Sequence, residues 1–220
     1  MDDHRSRFLN LALGANALRF GEFTLKSGRT SPYFFNAGCF DSGAALAGLA
    51  ACYADAIDAA GIGFDLLFGP AYKGIPLATA LACEYARRGR DLPVAFNRKE
   101  AKAHGEGGQL IGAGLAGRRV LVVDDVITAG TAVREALDTI TGAGGTVAAV
   151  AIALDRQEAL DPASSRLSAA QALTAREGIP VVAVATLADL LEMSTGRPEL
   201  AAQQARLQAY RDRYGSQDAR

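Results

Sequence analysis

The stretch richest in chemistry runs Val120-Leu121-Val122-Val123-Asp124-Asp125-Val126-Ile127-Thr128-Ala129-Gly130-Thr131-Ala132. An apolar run delivers two adjacent carboxylates, and the small residues after them open into a helical pattern. In a strand–loop–helix of this kind, the loop's unencumbered backbone N–H groups, its threonine hydroxyls and the helix N-terminus combine into a site for an anion such as phosphate. Two acids beside a phosphate cradle suit sugar hydroxyls or a hydrated Mg2+. A simple helix cap would account for Thr128 or Thr131 alone, but not for consecutive aspartates at the end of a buried strand.

Other charges fall in related places. Lys73 follows the run 65–69, Arg98 follows 93–97 and Arg156 follows 146–154. Taken singly, each is a solvated cation. Taken together with Asp124 and Asp125 they lie at strand carboxyl ends, the edge along which open α/β sheets bind ligands. From Asn97 the chain turns polar through Arg98, Lys99, Glu100, Lys102 and His104 to the glycines before Gln109, with no apolar side chain larger than alanine. A segment with nothing to pack is a surface loop, and its four cationic or potentially cationic side chains favour a lid over a merely solvated hairpin tip. Gly112-Ala113-Gly114-Leu115-Ala116-Gly117 has the spacing of a dinucleotide fingerprint, but it precedes the 119–124 strand where that fingerprint must follow one. NAD binding is rejected on that ground. The absence of a GxxxxGK motif followed by Ser or Thr excludes an ordinary nucleotide triphosphatase.

The elements that must position these residues alternate along the chain. Ala/Leu-rich helical periodicity covers about 2–18, 42–60, 74–89, 131–143, 163–178, 186–194 and 198–213. Strands are expected near 33–37, 65–69, 93–97, 119–124, 146–154 and 180–185. Ser42 is a candidate N-cap, with Gly61 and Gly144-Gly145 as helix stops. Most of the strands are continuous apolar runs, the mark of burial on both faces, so the sheet is expected to be mostly parallel and covered by helices. The reading is α/β: one domain over 1–220, with an N-terminal cap at about 1–40, a core at about 60–190 and a mobile lid at 97–110.

Composition narrows the class further. The chain has 220 residues, 50% apolar and 21% charged, which is enough to bury a sizeable core without disulfide or metal staples. With 23 Lys and Arg against 24 Asp and Glu, no basic excess argues for nucleic acid or an anionic membrane as partner. Cys39, Cys52 and Cys83 show no CxxC spacing, and His4 and His104 are far apart, so neither a disulfide framework nor a structural transition-metal site is expected. A reducing cytoplasm is the expected home. The longest apolar run, Ala44 to Ala54, is cut by Asp55 short of a membrane span. Arg5 and Arg7 before an apolar stretch invite comparison with an export signal, but Asp2, Asp3 and Asn10 favour an amphipathic helix.

Segment 120–132 resembles the phosphoribosyl pyrophosphate-binding motif of the type I phosphoribosyltransferases. Three more segments resemble the orotate phosphoribosyltransferase family in particular: Phe23-Thr-Leu-Lys26 through Phe34-Phe35-Asn36 its substrate-side segment, Phe68-Gly-Pro-Ala-Tyr72-Lys73 its pyrophosphate loop, and Arg98-Lys99-Glu-Ala-Lys102-Ala-His104 its catalytic lid. The matches span most of residues 20–160 in the family's order. The resemblance implies transfer of a phosphoribosyl group to orotate, yielding orotidine 5′-monophosphate and pyrophosphate in pyrimidine synthesis. It implies Lys102, Asp124 and Asp125 as catalytic residues. Phosphoribosyl pyrophosphate would be held by Tyr72, Lys73, Arg98, Lys99, Lys102, His104 and residues 124–132, and orotate by Lys26, Phe34, Phe35, Thr128 and Arg156. Mg2+ is the implied cofactor, held mainly by substrate with Asp124 and Asp125 nearby. A homodimer with lids shared between subunits is implied too, as is a non-proline cis peptide at Ala71–Tyr72. Strand alternation allows only one of Phe34 and Phe35 to point inward, so plain core packing is expected of one side chain. A purine phosphoribosyltransferase would share 120–132 but lack the Lys26 and lid segments, and a nucleic-acid-binding regulator of this fold would need a basic module that is absent here.

Overall fold

The computed structural model describes residues 3–25, 27–98, 109–127, 130–161, 165–195 and 197–217. The chain opens with helix α1 (His4–Gly14) and a hairpin of β1 (Leu18–Thr24) and β2 (Thr30–Phe35). Then come α2 (Gly43–Ala60), β3 (Leu66–Gly69), α3 (Gly74–Arg87), β4 (Val94–Asn97), β5 (Leu110–Gly112), β6 (Arg119–Asp124) and α4 (Thr131–Gly142). β7 (Thr146–Asp155), the short hairpin β8 (Ala159–Asp161) and β9 (Ser165–Ser168), α5 (Ala169–Glu177), β10 (Val181–Thr186), α6 (Leu187–Thr195) and α7 (Ala201–Tyr214) complete it.

The central sheet has six strands in the order β10-β7-β6-β3-β4-β5. Its strands are parallel except β5, which runs antiparallel to β4 at the edge. The mostly parallel sheet expected from the sequence is thus found, with its antiparallel strand at the edge. The ladder explains it: β5 is the return arm of the polar segment, and Arg98 N donates to Gln109 O at 2.7 Å, extending the β4–β5 pairing by one bond. Strand order reverses between β3 and β6, because β4 lies on one side of β3 while β6, β7 and β10 continue on the other. Such a switch point opens a crevice at the strand carboxyl ends.

Why the strands read as unbroken apolar runs is visible in the packing. On β6, Leu121 and Val123 enter the core shared with α1, α2 and α3, while Val120 and Val122 enter the opposite core with Val133, Ala136 and Ile140 of α4. On β7, Ala149, Ala151 and Ala153 alternate in the same way with Val150 and Ile152. Both faces of each strand are dry, so neither set of side chains can be polar.

Helix α2 is long and apolar enough by composition to cross a membrane. Here Leu49, Cys52, Tyr53 and Ile57 are buried in the core, while Asp55 pairs with Arg7 and Arg88. Those ion pairs mark the face of a core helix. Ser42 caps it by accepting from Ala45 N at 3.2 Å, and Gly61 closes it in the left-handed conformation.

The expected helix 2–18 ends at Gly14, and β1 follows where no strand was expected. Asn16 takes a left-handed φ of 54°, which an asparagine tolerates better than most residues, and this ends the helical path. The expected helix 163–178 begins only at Ala169, where Ser168 and Gln171 form a reciprocal capping box; the residues before it form the β8–β9 hairpin. Gly112, in the sequence resembling a dinucleotide fingerprint, sits in β5 with φ 98°, and a Cβ there would lie 2.3 Å from Val94 O. That glycine serves the sheet edge.

Two glycines fix how the β3–α3 loop folds back. A Cβ on Gly69 would lie 2.3 Å from Gly74 O, and one on Gly74 would lie 2.7 Å from Val123 O. Gly69→Ala should therefore lower unfolding free energy by about 2–4 kcal/mol, because backbone rather than a movable side chain fills the space. Gly142→Ala, at a position with open space around it, should change stability by less than about 1 kcal/mol. Parallel urea titrations of the two variants check both expectations.

Candidate active site

The carboxyl ends of β3, β6 and β7 hold the charged residues singled out above. Asp124 and Asp125 are the last residue of β6 and the one after it, 9% and 7% exposed. Their backbone is held tightly. Tyr53 of α2 donates its buried hydroxyl to Asp124 O at 2.7 Å, and Ala153 N of β7 donates to Asp125 O at 2.9 Å. Asp125 N donates to Asp124 Oδ1, and Val126 N to Asp125 Oδ1, both at 2.9 Å. The two side chains cannot turn away without losing backbone hydrogen bonds.

Electrostatically the pair is asymmetric. Asp125 Oδ2 receives Lys73 Nζ at 2.6 Å. Burial first, and the adjacent Asp125 carboxylate second, push the Asp124 carboxyl up to about 7. Lys73 stands half exposed at the start of α3. An ammonium has three donors, so the Asp125 contact leaves others for a bound anion. The loop before it contains the Ala71–Tyr72 cis peptide and is held by Ala71 N donating to Asn97 Oδ1 at 2.8 Å. Tyr72 is 66% exposed on its rim.

Beyond Asp125 the chain reaches Gly130, whose left-handed φ of 73° turns it into α4 with no side-chain cap. The first N–H groups of α4 have no intrahelical acceptor, and an anion is the natural partner for them. A cleft of about 220 Å³ lies there, lined by Asp124, Val126, Ile127, Gly130, Thr131, Ala132 and Val133. A larger cleft of about 320 Å³ between α1 and α6 is lined by Asp3, Arg5, Asp189 and Arg197 among others. It lies beside the end of β10, where Thr186 N donates to Asp189, and its Arg5 pairs with Asp3 and Asp189.

Arg156, just past β7, is the most enclosed cation of the group. Its Nε donates to Glu158 Oε1 at 2.7 Å, its Nη2 donates to Ser31 Oγ at 3.1 Å, and its guanidinium lies 4.4 Å from the centre of the Tyr33 ring. Burial works to lower its pKa, but the neighbouring Tyr33 and Glu158 outweigh it and hold the group fully charged. Phe34 and Phe35 divide as strand alternation requires. The Phe35 ring packs in the core against Phe8 and Phe40, so the expectation that its side chain meets a ligand gives way to packing. Phe34 faces the other way, pairing with Phe23 at 5.4 Å and with the Arg19 guanidinium at 5.8 Å. Arg98 sits at the base of the β4–β5 hairpin. Lys26, Lys99, Lys102, His104, Thr128 and Ala129 lie outside the described residues.

Three supporting residues were not anticipated. Asn97 is readable after the fact as the polar residue ending an apolar strand. Tyr53 carries no signal, because its helix is apolar around it. Glu158, two residues after Arg156, is an ordinary surface acid to a sequence reader. The site offers hard carboxylate oxygens suited to Mg2+, but Asp125 is already engaged by Lys73. Among the described residues no group of three or more acids, histidines or cysteines could enclose a metal. A metal held largely by a polyphosphate substrate, with these two acids beside it, fits that donor set.

Comparison with known proteins gives a consistent result. The family described as phosphoribosyl transferase domain matches residues 40–172. The orotate phosphoribosyltransferase of Xanthomonas axonopodis pv. citri is 71% identical over 216 residues, covering 98% of each chain. The crystal structure of the Francisella tularensis orotate phosphoribosyltransferase superposes with a TM-score of 0.85 at 39% identity, covering 97% of this chain and 98% of that one. The Mycobacterium tuberculosis orotate phosphoribosyltransferase in complex with 5-phospho-α-D-ribosyl 1-diphosphate gives a TM-score of 0.62 at 26% identity over 84% of this chain and 98% of that one.

The raised Asp124 pKa has a consequence for stability. The unfolded chain gives up this proton near its ordinary 3.8 and the folded chain only near 7, so the native state binds more protons between those values. Stability from this group is full below about pH 4 and is lost as pH rises through 7. Asp124→Asn removes the buried charge while keeping an acceptor for Asp125 N. The variant should therefore be more stable than the parent at pH 8 by roughly 2–4 kcal/mol, with the gap closing towards pH 4. Denaturant titrations across that range measure it, and a gap independent of pH would refute the assignment.

Proposed function

The chain belongs to the phosphoribosyltransferase family and, within it, to the orotate phosphoribosyltransferases, and from that premise we propose how its residues carry out the reaction. It transfers the 5-phosphoribosyl group from phosphoribosyl pyrophosphate to orotate, giving orotidine 5′-monophosphate and pyrophosphate in pyrimidine synthesis. The observation that carries the assignment of parts is the meeting, at one sheet edge, of an acid pair, an uncapped helix N-terminus and a largely enclosed arginine.

Cleavage at C1 of the ribose leaves positive charge on the sugar and collects negative charge on the departing pyrophosphate, so the principal task is to stabilise an anion as it forms. Lys73, with donors left over from Asp125, and the backbone beside Ala71–Tyr72 serve the pyrophosphate. Residues 126–132 cradle the 5′-phosphate at the head of α4. Asp124 and Asp125 accept from the ribose hydroxyls. Mg2+, when bound with the substrate, supplies further charge neutralisation for the pyrophosphate. Arg156 and Lys26 meet the carboxylate and carbonyls of orotate, with Phe34 at the ring's edge. Lys99, Lys102 and His104 belong to the lid formed by 97–110, and residues 1–40 form the hood. The match of the family description from residue 40 onward supports reading the preceding segment as an addition to the core.

The working form we propose is a cytoplasmic homodimer in which each lid covers the partner's site. The support is physical: the lid segment has no apolar residue larger than alanine with which to close on its own subunit. Loss of orotate absorbance on adding phosphoribosyl pyrophosphate and Mg2+ tests the activity directly. Consumption of adenine, hypoxanthine or uracil, with orotate untouched, would overturn it.

Lys102→Ala should lower kcat by about 10²–10³-fold with a much smaller change in phosphoribosyl pyrophosphate affinity, as expected on losing a preorganised charge. If sites are shared, Lys73→Ala and Lys102→Ala subunits allowed to exchange should regain activity. In a mixed dimer both defects fall in one site and the other is whole, so random pairing restores about a quarter of all sites. A mixture that stays inactive while exchange is demonstrated independently would require each lid to serve its own subunit.

A further inference from the structure

Arg156 does not stand alone. Glu158 Oε1 receives Arg156 Nε at 2.7 Å and Nη2 at 2.5 Å, and the same oxygen accepts the Tyr210 hydroxyl of α7 at 2.9 Å. The Tyr210 ring is 5% exposed and meets the Tyr33 ring edge-on at 6.3 Å, and Tyr33 is the ring over which the Arg156 guanidinium lies. Glu158 Oε2 faces Arg29 Nη1 at 3.7 Å, and Arg29 in turn donates to Ala159 O at 2.8 Å. Beyond α7 the chain is stitched back to the same loop: Ser216 N donates to Gln157 O at 2.7 Å, and Glu158 bridges to Gly215. Tyr210 is therefore held at both ends of its reach, by its helix and by the loop it contacts.

A buried guanidinium with no counter-charge would be costly in the empty enzyme, and a carboxylate on one edge removes most of that cost. The price is orientation. A planar guanidinium bonded to Glu158 through Nε and Nη2, with Nη2 also donating to Ser31 Oγ at 3.1 Å, can present only its remaining edge. Where Nη1 points is decided by where Glu158 Oε1 sits, and Tyr210 pins that oxygen. The Tyr210 hydroxyl stays a donor, because burial and the Glu158 carboxylate push its pKa up to about 12.

We infer that Glu158 and Tyr210 are positioning residues for Arg156, so that the C-terminal helix, distant in sequence from every ligand-contacting motif, sets how well the enzyme holds the carboxylate of its pyrimidine substrate. The inference rests on the reading that Arg156 meets orotate. It assigns α7 a part in acceptor binding and none in phosphoribosyl pyrophosphate binding.

Two substitutions separate position from packing. Tyr210→Phe keeps the ring and removes the hydroxyl; Glu158→Asp keeps the charge and withdraws it by one methylene. Steady-state kinetics on the full-length enzyme should show the orotate KM raised about threefold or more in Tyr210→Phe and about tenfold or more in Glu158→Asp, since small misplacements of a binding group are amplified in affinity. The KM for phosphoribosyl pyrophosphate should stay within about twofold of the parent, and neither substitution should add to the defect of Arg156→Ala, because all three act through one guanidinium. Thermal unfolding recorded in parallel establishes that each variant is folded. If Arg156→Ala raises the orotate KM while Tyr210→Phe and Glu158→Asp leave it unchanged, raise both KM values alike or remain additive to it, α7 is merely structural and the inference fails. If Arg156→Ala itself leaves the orotate KM unchanged, the assignment of Arg156 to the pocket falls first, and the inference goes with it.

Discussion

The structure turns on placing two neighbouring carboxylates in an almost dry crevice and preventing them from escaping it. Adjacent buried acids repel one another and are poorly solvated, so left to themselves they would rotate outward or stay protonated. Tyr53 and Ala153 fix the backbone carbonyls of Asp124 and Asp125, and the N–H groups of Asp125 and Val126 hold the two carboxylates against rotation. Lys73 supplies a counter-charge to Asp125 only, and burial beside the Asp125 carboxylate pushes the Asp124 carboxyl up to about 7. Two chemically identical side chains thus acquire different surroundings, one paired with an ammonium and the other responsive to what binds beside it.

The surrounding architecture serves that placement. β6 lies in the interior of the sheet with an apolar core on each face, which keeps its carboxyl end from shifting. The reversal of strand order next to it opens the space into which α3 and α4 direct their N-termini. Gly69 and Gly74 bring the β3–α3 loop down until its backbone nearly touches β6, and only that closeness lets Lys73 reach Asp125. Each contact depends on a neighbour's being in place, which is characteristic of sites built on rigid elements rather than on loops.

How much of this was legible in the sequence follows from the range of each interaction. Segment 120–132 could be read directly, because a buried strand, its acids and the following turn are contiguous and each leaves a local signature. Lys73, Arg98 and Arg156 could be placed at one edge by the alternation of elements alone. What set the guanidinium of Arg156 could not be read: Glu158 looks like any acid in a loop, and Tyr210 belongs to a helix whose own pattern explains its burial. β1 was hidden because Ala15 and Ala17 prolong a helical pattern that Asn16 interrupts only through its backbone conformation. The β8–β9 hairpin was hidden because Ala, Ser and Leu there are as compatible with a helix as with short strands. Phe34 and Phe35 show an intermediate case, in which alternation foretold that they would part but not which one the core would take.

The hydrogen bond from Arg98 N to Gln109 O bears on how such an enzyme can change over evolutionary time. Both ends of that bond lie at the outer edge of the sheet, with β3 standing between them and β6. Residues can be gained, lost or exchanged between those two anchors without moving the register of β4 on β3 or disturbing the acids at the end of β6. Variation at that edge and the placement of the acids are therefore physically separate matters.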